Sequence, residues 1–286
     1  MTTIWEIDFY SRPIVDEDEK KVWEVLVCES PIDIKAEPED LFRYAEYCSN
    51  AEVNSLKLKE VLETAIAQAP HPPDKIRFFR QAMNNMITKA CTDLGIPVTM
   101  SRRTYALNQW MQQRLEQDYP KQPGFQPGAN PTVSFGTTTA RSLPDALQGQ
   151  KWALVTLPAL AFDDLSDWDV GFGESFPLSL IGLTADAVIP GLVIFSDRAT
   201  PLAAWMSGLE LGYFKFDQDP PRLLLETGVS DRWILADLVN VSLQAEAINF
   251  ETAKQQAKGV HFLAVQSSPD VESFAGFWLL QESNLA

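Results

Sequence analysis

Residues 3–10, TIWEIDFY, place Trp5, Ile7 and Phe9 on one side of an extended chain and Glu6 and Asp8 on the other. That alternation predicts a half-buried strand with a solvated polar face. The acidic turn VDEDEKK leads into a second strand, VWEVLVCE (22–29), and LFRYAEYC (41–48) predicts a third. Leu58, Val61, Leu62, Ala65 and Ile66 then recur at helical spacing, with Asn54 or Ser55 as the N-cap. AQAPHPP ends that helix, and KIRFF (75–79) reads as a short strand. Met83, Met86, Ile87, Ala90, Cys91 and Leu94 form the stripe of a second helix, which Gly95 is placed to terminate. IPVTM (96–100) is a strand, and Ser101 is expected to cap a third helix that turns Leu107, Trp110, Met111 and Leu115 inward.

Three strands followed by three helices alternating with two further strands is the element order of ribonuclease H-like folds, in which an antiparallel meander is extended by parallel strands through helical crossovers. Residues 1–120 are therefore read as an N-terminal domain of that order. Pro120, Pro123, Gly124, Pro127, Gly128, Pro131 and Gly136 then interrupt the periodicity. They make 121–150 an expected linker, with one helical turn in SLPDALQ (142–148). Residues 151–286 read as a second domain with strands at 152–157, 191–197, 211–217, 222–227, 232–238, 260–265 and 276–281. One helix is expected from Thr200, with Pro201 at its first position, and another from Ser242 to Lys258, closed by Gly259. The fold class is α/β (α+β), with two mixed-sheet domains.

Composition narrows the chemistry. At 286 residues and 45% apolar the chain can fill two cores, and no apolar run reaches the length of a membrane-spanning helix. Cys28, Cys48 and Cys91 are scattered and lack metal-ligand spacing, so they read as reduced core residues. MTT runs directly into the first strand, which predicts no targeting peptide and a cytoplasmic protein. His71 lies in a proline-rich loop and His261 in an apolar strand, neither beside a nucleophile in sequence, and both read as structural. There is no glycine-rich phosphate loop and no His/Cys metal constellation, so no cofactor is expected. A ribonuclease H-like nuclease would need three carboxylates around Mg²⁺. Asp8 matches the first position and Glu60 or Glu63 the second, but the fourth strand ends Phe78-Phe79-Arg80, a cation where the third carboxylate belongs. Asp8 is accordingly read as a solvated residue and the protein as no enzyme.

The formal net charge is −16, yet residues 71–121 carry eight basic side chains against four acidic ones. That is a local +4, which leaves −20 elsewhere. Lys75, Arg77, Arg80, Arg102, Arg103 and Arg114 are the candidate contacts for a polyanion. If Ser101 caps a helix, Arg102 and Arg103 lie in its first turn, where positive charge is unfavourable unless an anion is bound. Pairing with acidic neighbours would explain them equally well. Arg198, ahead of the Thr200 helix, repeats the arrangement. Phe9, Phe78 and Phe79 read as core, and Tyr10 as the aromatic free to stack on a base.

WEIDFYSRPI (5–14), KVWEVLVCE (21–29), KIRFFRQAMNNMITKAC (75–91), SRRTYALNQW (101–110), SDRATPLAAWMSGLEL (196–211), HFLAVQ (261–266) and GFWLL (276–280) together resemble the Tab/ATAB family. These are RNA-binding translation activators of chloroplasts with cyanobacterial relatives. The resemblance implies binding to 5′ untranslated regions of photosystem messages, PsaB among them, with translation or assembly factors as further partners. It also implies a cyanobacterial cytoplasmic member here. The family's C-terminal Trp-Leu-Leu falls on Trp278, Leu279 and Leu280, which read equally well as a buried last strand. An assembly scaffold acting through protein contacts and a degenerate nuclease are the alternatives.

Overall fold

The computed structural model describes residues 2–128, 138–147, 149 and 151–283. The chain divides into two compact units, one made of 2–30 and 38–128, the other of 31–37 and the described residues from 138 to 283. Within the expected linker 121–150, residues 129–137, 148 and 150 lie outside the described residues.

In the first unit, β1 (Ile4–Val15), β2 (Lys21–Glu29), β3 (Arg43–Cys48), β4 (Lys75–Phe78) and β5 (Val98–Met100) form one mixed sheet, ordered β3-β2-β1-β4-β5. The β1–β2 and β2–β3 pairs are antiparallel, and β1–β4 and β4–β5 are parallel. The inward face of β1, Trp5, Ile7 and Phe9, packs with Val25, Val27, Ile76 and Phe78. Helices α1 (Ser55–Gln68) and α2 (Asn84–Asp93) cover that face with Leu58, Val61, Leu62, Ala65, Ile87, Ala90 and Cys91. Asn54 caps α1 by accepting from Lys57 N–H at 2.9 Å. The strand β1 outruns its expected end at residue 10. Only Ile4, Trp5 and Glu6 pair with β4, so Pro13 removes no hydrogen bond from that ladder.

Two expectations change on the other face. Glu6 and Asp8 are not solvated: both are buried, beneath α3 (Tyr105–Gln113), whose Leu107 N–H donates to Glu6 Oε2 at 2.7 Å. And α3 starts three residues after Arg102, so neither arginine of that pair lies in its first turn. Ser101 Oγ instead accepts from Arg103 N–H at 3.0 Å, closing a tight turn ahead of the helix. The unfavourable dipole placement that seemed to require an anion is therefore absent.

The second unit holds two sheets among the described residues. β7 (Lys151–Pro158), β8 (Val170–Glu174), β9 (Val188–Phe195), β13 (Val260–Gln266) and β14 (Phe274–Gln281) form a sheet ordered β7-β9-β13-β14-β8. β6 (Arg141–Ser142), β10 (Leu211–Gln218), β11 (Pro221–Thr227) and β12 (Asp231–Asp237) form the other, ordered β10-β11-β12-β6. A single core of Leu192, Ile194, Phe214, Leu223, Leu225, Leu263, Val265, Trp278 and Leu280 joins the two sheets to α4 (Ala199–Ser207) and α5 (Val241–Gln256). Pro201 stands third in α4 rather than first.

Strand β8, VGFGE, was not anticipated. Its alternate positions are glycines because the neighbouring backbone comes too close for a side chain: a Cβ on Gly173 would sit 2.4 Å from the Phe277 carbonyl oxygen. A strand without side chains on one face shows no amphipathic alternation.

Trp278, Leu279 and Leu280 are buried in β14, opposite Leu263, Phe262 and His261. All three are packed inside the sheet and present almost no surface. Trp278→Ala should cost the second unit about 3–5 kcal/mol. Val239→Ala, at a side chain 90% exposed, should stay within about 0.5 kcal/mol of the parent. Denaturant melts of the two variants check the contrast.

Candidate functional site

The polar face of β1 is the origin of a buried charge lattice. Asp8 is 1% exposed, with Oδ1 accepting from Arg80 Nε at 2.6 Å and Oδ2 from Arg12 Nη1 at 2.9 Å. Arg12, four residues along the same strand, also donates through Nε to Glu24 Oε2 at 2.9 Å. Glu24 lies on β2 and receives Tyr119 Oη at 2.6 Å and the Arg114 guanidinium. Glu6 accepts from Ser30 Oγ and Leu107 N–H, each at 2.7 Å. Arg77 is the register partner of Glu6 on β4.

Burial alone would raise the Asp8 pKa, but the Arg80 and Arg12 guanidinium groups outweigh it and hold the carboxyl below its ordinary value. Burial likewise opposes the charge on Arg12, and Asp8, Tyr119 and Glu24 more than restore it. Both carboxylate oxygens of Asp8 are engaged by arginine. Glu60 and Glu63 are exposed on α1, which covers the opposite, apolar face of the sheet. No group of three or more His, Cys, Asp or Glu side chains suited to a metal occurs among the described residues.

Of the basic residues singled out in the sequence, Arg77, Arg80 and Arg103 are 4%, 4% and 2% exposed. They present almost no surface to a polyanion, and the expectation of one exposed arginine face does not hold for them. Arg80 lies over the Tyr10 ring at 4.2 Å, so Tyr10 is already stacked on a cation. Lys75 and Arg102 are half-buried. Arg114 is half-buried and pairs with Glu24 and with Asp118 at 3.4 Å. Arg198 is exposed in the second unit, where its N–H donates to Ser196 Oγ at 3.1 Å.

Arg114 also carries the lattice to the surface. Its guanidinium lies over Trp110 at 5.5 Å and Tyr47 at 5.9 Å, and Nη2 donates to the Tyr47 hydroxyl at 3.1 Å. Arg43 lies over the Trp110 ring at 5.6 Å. Tyr47, 40% exposed, is the outer member of this stack. In the sequence it stands within LFRYAEYC with no signal that marks it as exposed.

The second unit has its own polar knot. Lys254 pairs with Glu251 at 2.8 Å and Glu282 at 2.6 Å, and donates to the Phe214 carbonyl at 3.1 Å. His261 Nε2 accepts from Phe214 N–H at 3.1 Å, and Nδ1 lies 2.8 Å from the Gly259 carbonyl. Burial, seconded by the nearby Lys254 charge, holds the imidazole well below its ordinary pKa. It is a satisfied core histidine. Cys28, Cys48 and Cys91 are free and buried, and burial pushes the Cys91 thiol up to about 12.

Residues 4–114 match the family model of the RNA-binding protein Tab2/Atab2 N terminal, and 130–281 match that of its C-terminal domain. The chain belongs to the Tab2/Atab2 family. The chloroplastic protein TAB2 homolog of Arabidopsis thaliana is 39% identical, over 96% of this chain and 74% of its own length. The corresponding Zea mays protein is 37% identical over 96% and 70%. A solved simian T-cell lymphotropic virus intasome in complex with the PP2A regulatory subunit B56 gamma is similar over 42% of this chain and 43% of that one. With 16% identity and a TM-score of 0.27, it carries no argument. The Tab2/Atab2 match spans parts of both units, and Asp8, Arg12, Glu24, Arg80 and Lys254 lie within it.

Asp8→Asn would leave Arg12 and Arg80 buried without their shared counter-charge, at an expected cost of about 3–5 kcal/mol. The folded pKa of Asp8 lies below the ordinary 3.8, so its contribution is fully present above that value and is lost as pH falls through the folded one. Acid melts of the Asn variant should therefore lose stability less steeply below pH 3.8 than the parent. His261 is also depressed, from 6.5, so its neutral ring favours folding above that pH and opposes it progressively below. His261→Gln should flatten the part of the stability profile just under pH 6.5, checked by urea titration at stepped pH.

Proposed function

We propose that this protein is a non-enzymatic RNA-binding factor that supports translation and biogenesis of photosystem reaction-centre subunits. The observation that carries the reading is the family membership, since both family models bear the description RNA-binding protein and together span nearly the whole chain. Two chloroplastic relatives above 35% identity support the link to photosynthesis. RNA, single-stranded and from untranslated regions of photosystem messages, is the proposed partner. The cytoplasm of a photosynthetic bacterium is the proposed location. No described helix is long and apolar enough to cross a membrane.

We also read the first unit as ribonuclease H-like. The sheet order β3-β2-β1-β4-β5, with β1, β4 and β5 parallel, supports this. On that reading Asp8 occupies the strand position of a catalytic carboxylate while its two arginines give it a structural task. Of the predicted contacts, Lys75, Arg102, Arg114 and Arg198 retain accessible surface and stay in the proposal. Arg77, Arg80 and Arg103 act through the fold.

Four cations engaging single-stranded RNA give a log–log salt slope of about −3. Filter binding at stepped salt should show that slope or a shallower one. Arg102→Ala should weaken binding several-fold with an unchanged melt, whereas Arg103→Ala should lower the melt, because it empties a buried site. Mg²⁺ should produce no cleavage of single-stranded RNA. Cleavage abolished by Asp8→Asn would reinstate the nuclease reading.

A further inference from the structure

The exposed end of the arginine–aromatic stack opens on a pocket. A cavity of about 460 Å³ is lined by Ile14, Val15, Val22, Tyr47, Pro123 and Gly124, with Asp16 and Glu17 on its rim. That volume lies in the usual range for small-ligand sites, about 300–1,000 Å³. Its walls are held by backbone pairing. Val15 N–H donates to the Gly124 carbonyl at 3.0 Å, Gln126 N–H donates to the Pro13 carbonyl at 2.8 Å, and Ile14 and Phe125 form a bridge. Gly124 has φ +76°, and a Cβ there would meet the Val15 oxygen at 2.0 Å, so only glycine permits this closure. Tyr47 is fixed from behind, its hydroxyl accepting from Arg114 and its ring lying beneath that guanidinium.

The charges around the slot differ from those of the predicted patch. Among the described residues, most basic side chains of the first unit are buried, paired with a carboxylate or otherwise engaged. Lys21 and Lys121 are exposed and form no ion pair among the described residues. Both adjoin the slot: Lys21 is the register partner of Val15, and Lys121 immediately precedes Gln122, another lining residue.

We infer that this slot is a single-nucleotide site, in which one unstacked base of a single-stranded RNA lies against Tyr47 between apolar walls while Lys21 and Lys121 meet the adjoining phosphates. The chemistry fits on three counts. A rigid, half-exposed aromatic offers a π-face to any base. Apolar walls exclude water from the base's flat surfaces. Asp16 and Glu17 can accept hydrogen bonds from exocyclic amino groups, and the acidic turn they belong to repels a longer run of phosphates, which confines the contact to one or two. A duplex, whose bases are stacked and paired, cannot enter. The inference rests on the proposed RNA-binding function and adds its location.

The test uses the full chain with a fluorescent short oligouridylate and its oligoadenylate counterpart. Tyr47→Ala should weaken binding about ten-fold, and Tyr47→Phe should bind like the parent because it keeps the ring. Lys21→Gln and Lys121→Gln should each reduce the salt slope by about one unit at most. Photocrosslinking from 4-thiouridine should map to Tyr47 and the 122–124 segment. Tyr47 is a surface residue, and an unchanged melt of its variants separates lost contact from lost fold. Parent-like affinity of Tyr47→Ala, with crosslinks elsewhere, would overturn the slot and leave RNA binding standing. No oligonucleotide binding by the parent would overturn the functional reading itself.

Discussion

The ion pairs that Asp8 makes with Arg12 and Arg80 set the constraint from which the first unit's geometry follows. A carboxylate withdrawn from water loses several kcal/mol of hydration unless both oxygens are filled. Here one oxygen is filled from the same strand and the other from residue 80, just beyond β4. Arg12 reaches across to Glu24 on β2, and Glu24 in turn holds Arg114 and Tyr119, which follow α3. One chain of charge thus ties β1, β2, the exit of β4 and the segment after α3. An apolar face could have been packed in several registers. Directional pairs with fixed oxygens admit few, so the lattice contributes specificity of arrangement more than net stability.

The same lattice explains why a locally basic segment does not make a locally basic surface. Arginines at 77, 80 and 103 are spent inside, Lys89 is paired with Asp93 and Arg114 with two carboxylates. Charge counted along the sequence overstates the field outside by the number of cations whose partners lie elsewhere in the chain. At a net charge of −16, the proposed RNA binding would then rest on a few well-placed contacts rather than on a broad electrostatic attraction.

The main strands and helices of both units were legible from their side-chain periodicity, whereas β6 and β8 of the second unit were not. Trp5, Ile7 and Phe9 announced the core of the first unit, and His261 read as a core histidine. Glu6 and Asp8 misled because charged residues alternating with apolar ones ordinarily face water, and nothing in residues 3–10 reveals a helix lying over them. The compensating signal was distributed: Arg12 stands four residues from Asp8 but past the expected end of the strand, and Arg77, Arg80 and Arg114 are far off in sequence. Strand β8 escaped because its glycines are dictated by close approach of Phe277. Tyr47 escaped because aromatic residues in strands are usually core.

The two Ser-x-Arg turns show what a local motif can and cannot decide. Ser101 and Ser196 each follow a strand, each accepts from the N–H two residues on, and each precedes a helix. The backbone device is the same, and the short hydroxyl side chain accounts for it. Yet Arg103 is buried over the Tyr105 ring and Arg198 is exposed. Local sequence therefore sets the turn, while the tertiary surroundings decide whether its guanidinium turns inward to structure or outward to a ligand. A site reading built on arginine spacing alone inherits that ambiguity. One built on Tyr47 and the Gly124 wall starts from parts already placed by what they touch.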